Sequence, residues 1–386
     1  MSPGAEAQVT LAELEDDPHA LLARLRGREP VSFVPVLDGW LVTSYDLAAQ
    51  AMRDTERFTV DDPRFSTGQV VGPSMLSLDG AAHATHRAAF ADPFRPVAVR
   101  ERFADSVAAE AERLIDGFAA VGSADLRRSF AGPLAAATIT HTLGLGHDEI
   151  PAVLGFYDAI VTAVTEITAG AAVSQAGARA FDQLRARLEA VIDAGDRRTL
   201  LGAVASNAEL STGQIISNAA VLLFGGIETT EGMICNAALH LLERPARLAA
   251  AIRDSHELEL AIDESLRLEP AAAMVDRYAT ADTSLGPARI GKGELVHVSI
   301  TGANRDPTLF SDPDAFYPGR PRRRRHLAFA QGPHVCLGIH LARLEARIGL
   351  TAVLRRLPGL RLDPARPAAV HGLVFRKPPE LRVVWG

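Results

Sequence analysis

The chain is 386 residues long, 47% apolar, with a formal net charge of −7 at pH 7 and two cysteines. Such a length and apolar share can bury a large core, while the negative balance argues against a nucleic-acid partner, which needs a basic face against phosphate. Two thiols cannot form a disulfide framework, so a reducing cytoplasm is the expected compartment and each cysteine must be explained singly.

Residues 1–10 are small and polar, with neither the basic start nor the apolar run of a secretory signal, and are expected to be a disordered tail. Gly, Pro and Ser are scattered rather than gathered into a linker, so residues 11–386 read as a single domain. Short β-branched or alternating runs at 31–36, 39–43, 293–300 and 380–385 predict small sheets. Elsewhere apolar residues recur at helical spacing, as in Phe103, Val107, Ala111 and Leu114, or Leu184, Leu188 and Ile192. The predicted fold class is mainly α with small β-sheets. Apolar stretches such as 219–224 stop short of the roughly 20 residues that span a bilayer, so no membrane anchor is expected.

The longest predicted helix runs from about Thr212 to Leu242. Ser211, with Gln214 three residues on, makes a capping-box pattern at its start, and Pro245 follows its end. At about 1.5 Å per residue it is about 45 Å long and crosses the molecule. Inside it, Gly225-Gly226-Ile227-Glu228-Thr229-Thr230 is costly, since each mid-helix glycine loses about 1 kcal/mol relative to Ala. Close helix packing or a kink is one explanation, and a backbone that passes close to a ligand is the other. An acid and an alcohol directly after the apolar stretch 221–227 need partners or a task.

Further along, Glu264 and Arg267 are three apart on a helix and share a face; alone they read as a surface pair worth a few tenths of a kcal/mol. A basic run, Arg320-Pro-Arg-Arg-Arg-Arg325, immediately precedes a glycine-opened loop ending in Cys336. Leu341, Leu344 and Ile348 then share one helical face, which places Cys336 near a helix start. The positive end of the dipole there is expected to lower the thiol pKa from its free value of about 8.5. Gly332 and Gly338 are expected to let the backbone approach a flat ligand closely, and such a thiolate can ligate a metal. Cys235, among Ile234, Ala237 and Ala238, reads as core packing.

The pattern Phe329-x-x-Gly332-x-His334-x-Cys336-x-Gly338 resembles the haem-binding signature of the cytochrome P450 family. The likeness runs from about Val34 to Trp385 and includes Ala303-Asn-Arg-Asp-Pro307 and Phe310-x-Asp312-Pro313-x-x-Phe316. It implies the family fold, with the long central helix crossing above the haem, and haem b as cofactor. By this resemblance Cys336 is the axial iron ligand, Phe329 packs against the sulfur side of the ring and His334 reaches a propionate. Thiolate ligation pushes electron density onto iron and favours O–O cleavage.

Glu228 and Thr229 resemble the family's acid-alcohol pair. The implied roles are a hydroxyl, Thr229, that hydrogen-bonds the oxygen being activated and an acid, Glu228, that relays protons from solvent, with the Gly225 backbone close to the haem. Glu264, Arg267 and Arg320 resemble the family's structural salt-bridge set. His83, Arg87, Arg277 and His334 are candidates for the two propionates, since arginine forks suit carboxylates. Reading His83 and His86 as a metal site lacks a third ligand at a useful spacing.

The implied activity is a haem-thiolate monooxygenase that activates dioxygen and hydroxylates or epoxidises a small, largely apolar molecule in secondary metabolism. A peroxide-using or oxidative-coupling enzyme and a non-catalytic haem protein are the alternatives; the presence of both Glu228 and Thr229 favours the dioxygen route. Substrate contacts are expected at 60–75, 160–172 and 271–275, mostly small and apolar, with Asp61, Asp62 and Arg64 as loop charges. No flavin or iron–sulfur domain is evident, so electrons are expected from a separate ferredoxin and its reductase, steered by Arg322, Arg323, Arg324 and Arg325. A monomer is expected.

Overall fold

The structure, a computed structural model, describes residues 9–168, 174–207, 209–321 and 323–386. Its first helix, α1 (Leu11–Glu15), opens with a capping box in which Thr10 accepts from the Glu13 N–H and the Glu13 carboxylate accepts from the Thr10 N–H at 2.9 Å. Val9 also packs on a small core, so structure is present at residues 9 and 10, while 1–8 of the expected tail lie outside the described residues.

After α2 (His19–Arg28), strands β1 (Val31–Val34) and β2 (Gly39–Val42) pair antiparallel. The first strand stops short of its predicted end because Pro35 has no N–H for the ladder and starts a 3₁₀ turn. Next come α3 (Tyr45–Arg53), β3 (Phe58–Thr59), α4 (Ser66–Val71), α5 (Gly80–Ala91), α6 (Pro96–Asp116) and β4 (Ser123–Asp125). The helical body continues with α7 (Gly132–Leu143), α8 (Ile150–Thr168), α9 (Gln175–Asp193), α10 (Leu200–Asn207) and α11 (Thr212–Leu242). Then follow α12 (Pro245–Arg253), α13 (Ser255–Leu268), β5 (Met274–Ala279), β6 (Thr283–Leu285), β7 (Ala288–Ile290), β8 (Leu295–Ser299) and α14 (Ile300–Ala303). The chain ends with α15 (Ile339–Arg356), β9 (Arg361–Leu362) and β10 (Arg382–Val384).

Sheet order is β1-β2-β8-β5-β3, with β2 and β8 parallel and the other neighbours antiparallel. Smaller sheets are β4-β10-β9 and β6-β7. α11 has the predicted ends and the predicted Ser211–Gln214 capping box. Its residues join α6, α7, α8, α9 and α15 in the main core, where Cys235 is fully buried, as core packing requires. Among the described residues one stretch, His147–Ile167, is long and apolar enough to cross a membrane by length and composition. It exceeds the apolar runs singled out in the sequence, and as α8 it buries Val153, Tyr157, Ile160 and Ala163 in that core.

Glu264 and Arg267 are not at the surface: both are fully buried, paired at 2.8 Å, with Arg320 joining at 3.1 Å. Arg267 also donates to the carbonyls of Asn304, Pro313 and Ala315, and Arg320 to those of Ser311, Asp312 and Ala315. With all five Arg267 donors in use, the set is a buried, densely bonded network; removing one partner from such a network costs about 3–5 kcal/mol.

Candidate active site

The loop that carries Cys336 is fixed from behind by this network. Asn304, whose carbonyl Arg267 holds, accepts from the Leu327 N–H through Oδ1 at 2.7 Å, and the Tyr45 hydroxyl donates to the Arg325 carbonyl at 2.7 Å. The backbone then reverses at Ala330, φ 57°, a left-handed conformation that a β-carbon disfavours. The Cys336 N–H donates to the Phe329 carbonyl at 2.8 Å, and the Arg343 guanidinium lies 5.0 Å from the Phe329 ring centre.

The two loop glycines answer to different demands. Gly332 has φ 76°, and a β-carbon there would lie 2.7 Å from the Met52 carbonyl oxygen, so α3 requires it to be bare. At Gly338 a β-carbon would meet nothing within 4 Å, which leaves that backbone alone open to a flat ligand.

Cys336 is half-buried just ahead of α15. The expected lowering of its thiol pKa is not found. Burial pushes the thiol up, and the Gly338 N–H, Arg87 and Arg343 pull it down less strongly. A helix start three residues away does not compensate the desolvation of a thiolate; a metal cation bound directly to sulfur would.

The candidate donors are His334 in this loop, His83 and Arg87 against it, and Arg277 near Asp79, the partner of His334. α5 puts His83 and Arg87 one turn apart, and Arg87 donates to the Val335 carbonyl at 2.7 Å. The His83 ring centre is 4.4 Å from that of His334, and burial with the neighbouring cations pushes its pKa down to about 4. His334 Nε2 is 2.7 Å from Asp79 Oδ1, so this nitrogen has a protein partner before any propionate is considered. Arg277, on β5, is buried, and desolvation pulls its pKa down to about 10. It donates to the Asp276 carbonyl, while the Asp276 carboxylate is 2.7 Å from His297. The buried Nε of Arg277 and Nε2 of His83 have no partner. His86 turns elsewhere, with Nδ1 3.0 Å from Asn218.

The middle of α11 explains its two glycines separately. Gly226 lets α7 approach, since a β-carbon would lie 3.2 Å from Ile139. Gly225 meets nothing within 4 Å. Leu222, Gly225, Gly226 and Thr229 are the half-buried residues in a helix whose other central residues are buried, and their spacing puts them on one face. The Thr229 hydroxyl donates to the Gly225 carbonyl at 2.7 Å, leaving its acceptor lone pairs free to face that opening.

Glu228, one residue earlier, is buried and turned away, bonded to the Tyr157 hydroxyl and 2.8 Å from Lys377 Nζ. Lys377 also pairs with Glu231, which Arg127 holds at 3.0 Å. Burial and the two carboxylates push the Tyr157 pKa up. Glu231 could have been suspected from its place one turn after Glu228; Tyr157, Lys377 and Arg127 are distant in sequence and gave no signal.

Of the expected substrate stretches, Val60, Val70, Val71, Met75, Ile160, Ala163, Ala271 and Met274 are buried, while 169–172 lie outside the described residues. Arg64 is turned to structure, pairing with Asp62 at 2.8 Å and lying over the Tyr278 ring.

A thiol opposed by burial, orphaned nitrogens of His83 and Arg277 around the His334–Asp79 pair, and bare positions at Gly225 and Gly338 fit the donor set and the space that a haem with two carboxylates requires. The fold and this site therefore define a haem-thiolate protein. A profile of the family described as Cytochrome P450 matches residues 185–358. The chain is 31% identical to cytochrome P450 105A3 of Streptomyces carbophilus, covering 97% of this chain and 92% of that protein. It is 32% identical to nocardicin C N-oxygenase of Nocardia uniformis subsp. tsuyamanensis, over 96% of each. The crystal structure of P450BioI with hexadec-9Z-enoic acid-ligated acyl carrier protein superposes with TM-score 0.86 at 26% identity, covering 96% of this chain and 99% of that one. The chain belongs to the cytochrome P450 family, and it is an oxidoreductase, a haem-thiolate monooxygenase.

Proposed function

We propose that the chain uses haem b and dioxygen, with electrons from a separate ferredoxin and its reductase, to hydroxylate or epoxidise a small, largely apolar molecule. In this reading it acts in the cytoplasm as a monomer, with residues 11–386 as one domain. Cys336 would hold the iron, and Arg87, Arg277, His83 and His334 would hold the two carboxylates. When bound, haem supplies the iron at which dioxygen is cleaved, with sulfur donation favouring that cleavage.

The observation that carries the reading is Thr229, a hydroxyl on the open face of an otherwise buried helix. With its proton committed to the Gly225 carbonyl, it accepts a hydrogen bond from a water or hydroxyl at the reacting centre. Glu228 would relay protons from solvent to that centre. The small apolar lining of the expected substrate stretches supports an uncharged substrate, and the relative named nocardicin C N-oxygenase supports action on a natural-product intermediate.

Electron delivery is assigned to the basic run beside the thiolate loop. Arg320 is unavailable in its buried network, and Arg324 pairs with Asp263 at 2.9 Å while remaining exposed, as is Arg325. Arg322 and the side chain of Arg323 lie outside the described residues.

A screen by spin-state shift finds a substrate. Its product, formed under labelled dioxygen, is expected to carry the label, to require ferredoxin and to fall with Thr229→Ala. Activity on peroxide alone that Thr229→Ala leaves untouched would favour a peroxide-using enzyme.

A further inference from the structure

We propose that Lys377 is a positioning residue for Glu228, drawing its carboxylate off the Thr229 face of α11 and offering Glu231 as a second seat for the same ammonium. The inference rests on the reading of Glu228 as the proton relay. Residues 228 and 231 are three apart and share a helical face, whereas 229 is rotated about 100° from 228. Glu228 therefore reaches the Thr229 side only by swinging away from its present partners.

Lys377 is built into its place by contacts that have no bearing on haem. Arg376, its buried neighbour, donates to Glu269 at 2.7 Å and to the carbonyls of Glu15 at 2.7 Å and Gly372 at 2.6 Å. The Arg376 carbonyl accepts from Asn236 of α11 at 3.0 Å, and Phe375 stacks edge-on against Phe224 one turn before Glu228. Gly232 lets this strap lie against α11: a β-carbon there would be 2.8 Å from Ala271 and 3.6 Å from the Lys377 side chain. The strap thus runs along α11 from Phe224 to Asn236 and delivers one ammonium to two carboxylates.

The residue type matters. The chain has two lysines, Lys292 and Lys377, among 40 Lys and Arg. An ammonium is a compact point charge with three rotatable donors, able to pass between two carboxylates without the fixed geometry of a guanidinium fork. Lys377 and Arg127 balance Glu228 and Glu231, so the cluster is neutral as a whole. Without Lys377, Arg127 is left as the cation for two buried carboxylates, an arrangement that low-dielectric surroundings penalise. Glu228 is then released toward the open face, retained by Tyr157 alone.

The test uses carbon monoxide on the reduced holoenzyme as the probe, read by its infrared stretch, which shifts with the charges and hydrogen bonds that face it. Lys377→Met is expected to add or move a band, Lys377→Arg to keep the wild-type position, and Tyr157→Phe to give a smaller shift in the same direction. In the Glu228→Gln background, Lys377→Met is expected to produce no further shift. An unchanged band in haem-loaded Lys377→Met, or a shift that persists in the Glu228→Gln background, would overturn the proposal. Should Lys377→Met fail to fold, Tyr157→Phe and Lys377→Gln carry the same comparison. The solvent isotope effect on peroxide release by ferredoxin-reduced enzyme tests the underlying reading separately. An effect that Glu228→Gln does not alter removes the proton role of Glu228, whereas the infrared result bears on its placement.

Discussion

Two buried polar clusters flank the site proposed for haem, and they differ in how well the protein satisfies them. Around Glu228, two carboxylates, a lysine, an arginine and a tyrosine meet one another within the chain. Around Arg277 and His83, buried nitrogens lack partners. Low dielectric makes an unpaired buried donor costly, so the second cluster stores a demand that, in the proposed reading, a haem carboxylate would meet, whereas the first is satisfied within the chain. The closed cluster should respond to mutation with lost fold stability or altered proton delivery, and the open one with lost cofactor.

The sharpest way to break the comparison is at the metal end. Cys336→Ser is expected to abolish the red-shifted Soret band of the reduced carbon monoxide complex, and a normal Soret position in the wild type would remove thiolate ligation altogether. Next in size is the Glu264–Arg267–Arg320 network, where Arg267→Leu should lower stability by about 3–5 kcal/mol in urea unfolding with haem-free protein, because it strands a buried carboxylate. Glu269, which anchors Arg376, is held at a pKa of about 2, against 4.5 ordinarily, by hydrogen bonds from His19 and the charge of Arg376, which outweigh its desolvation. A depressed carboxyl pKa stabilises the fold above 4.5, and the gain is lost as pH falls toward 2. Glu269→Gln should therefore be on the order of 3 kcal/mol less stable than wild type at pH 6, with the gap closing at lower pH.

Arg277→Leu should act the other way round. Haem-free stability should change little, while haem transfer to apomyoglobin should speed up, reflecting a loss of roughly 1–3 kcal/mol for one charge-assisted bond. The smallest effect is expected at the surface: Arg324→Gln with Arg325→Gln should slow ferredoxin-driven reduction several-fold at low salt and hardly at all at high salt. Equal slowing at both ionic strengths would argue against steering.

How much of this was legible in the sequence follows from the range of the interactions. The thiolate loop and α11 were readable because their information is local: fixed spacing around Cys336, a capping box at Ser211, and an apolar run that ends at Glu228. Arg267 read alone as a surface pair, because its burial depends on carbonyls from residues 304–315 that pack over it. Gly332 was readable as a required glycine but not for the right reason, since α3, far upstream, presses on it. The Cys336 thiol went the opposite way from the dipole argument, because desolvation is a property of the packed loop and leaves no mark in local sequence. Lys377 was invisible for the same cause: it is close to Glu228 only after the C-terminal strap folds along α11.

The contrast between the two cysteines also offers a measuring device. Cys235 is sealed in the core, and Cys336 is half-buried in a loop. A thiol reagent in alkaline buffer should label haem-free protein at a single position, and iron on the sulfur should protect that position. Counting labelled thiols by mass then titrates cofactor loading directly, molecule by molecule, before any substrate is added.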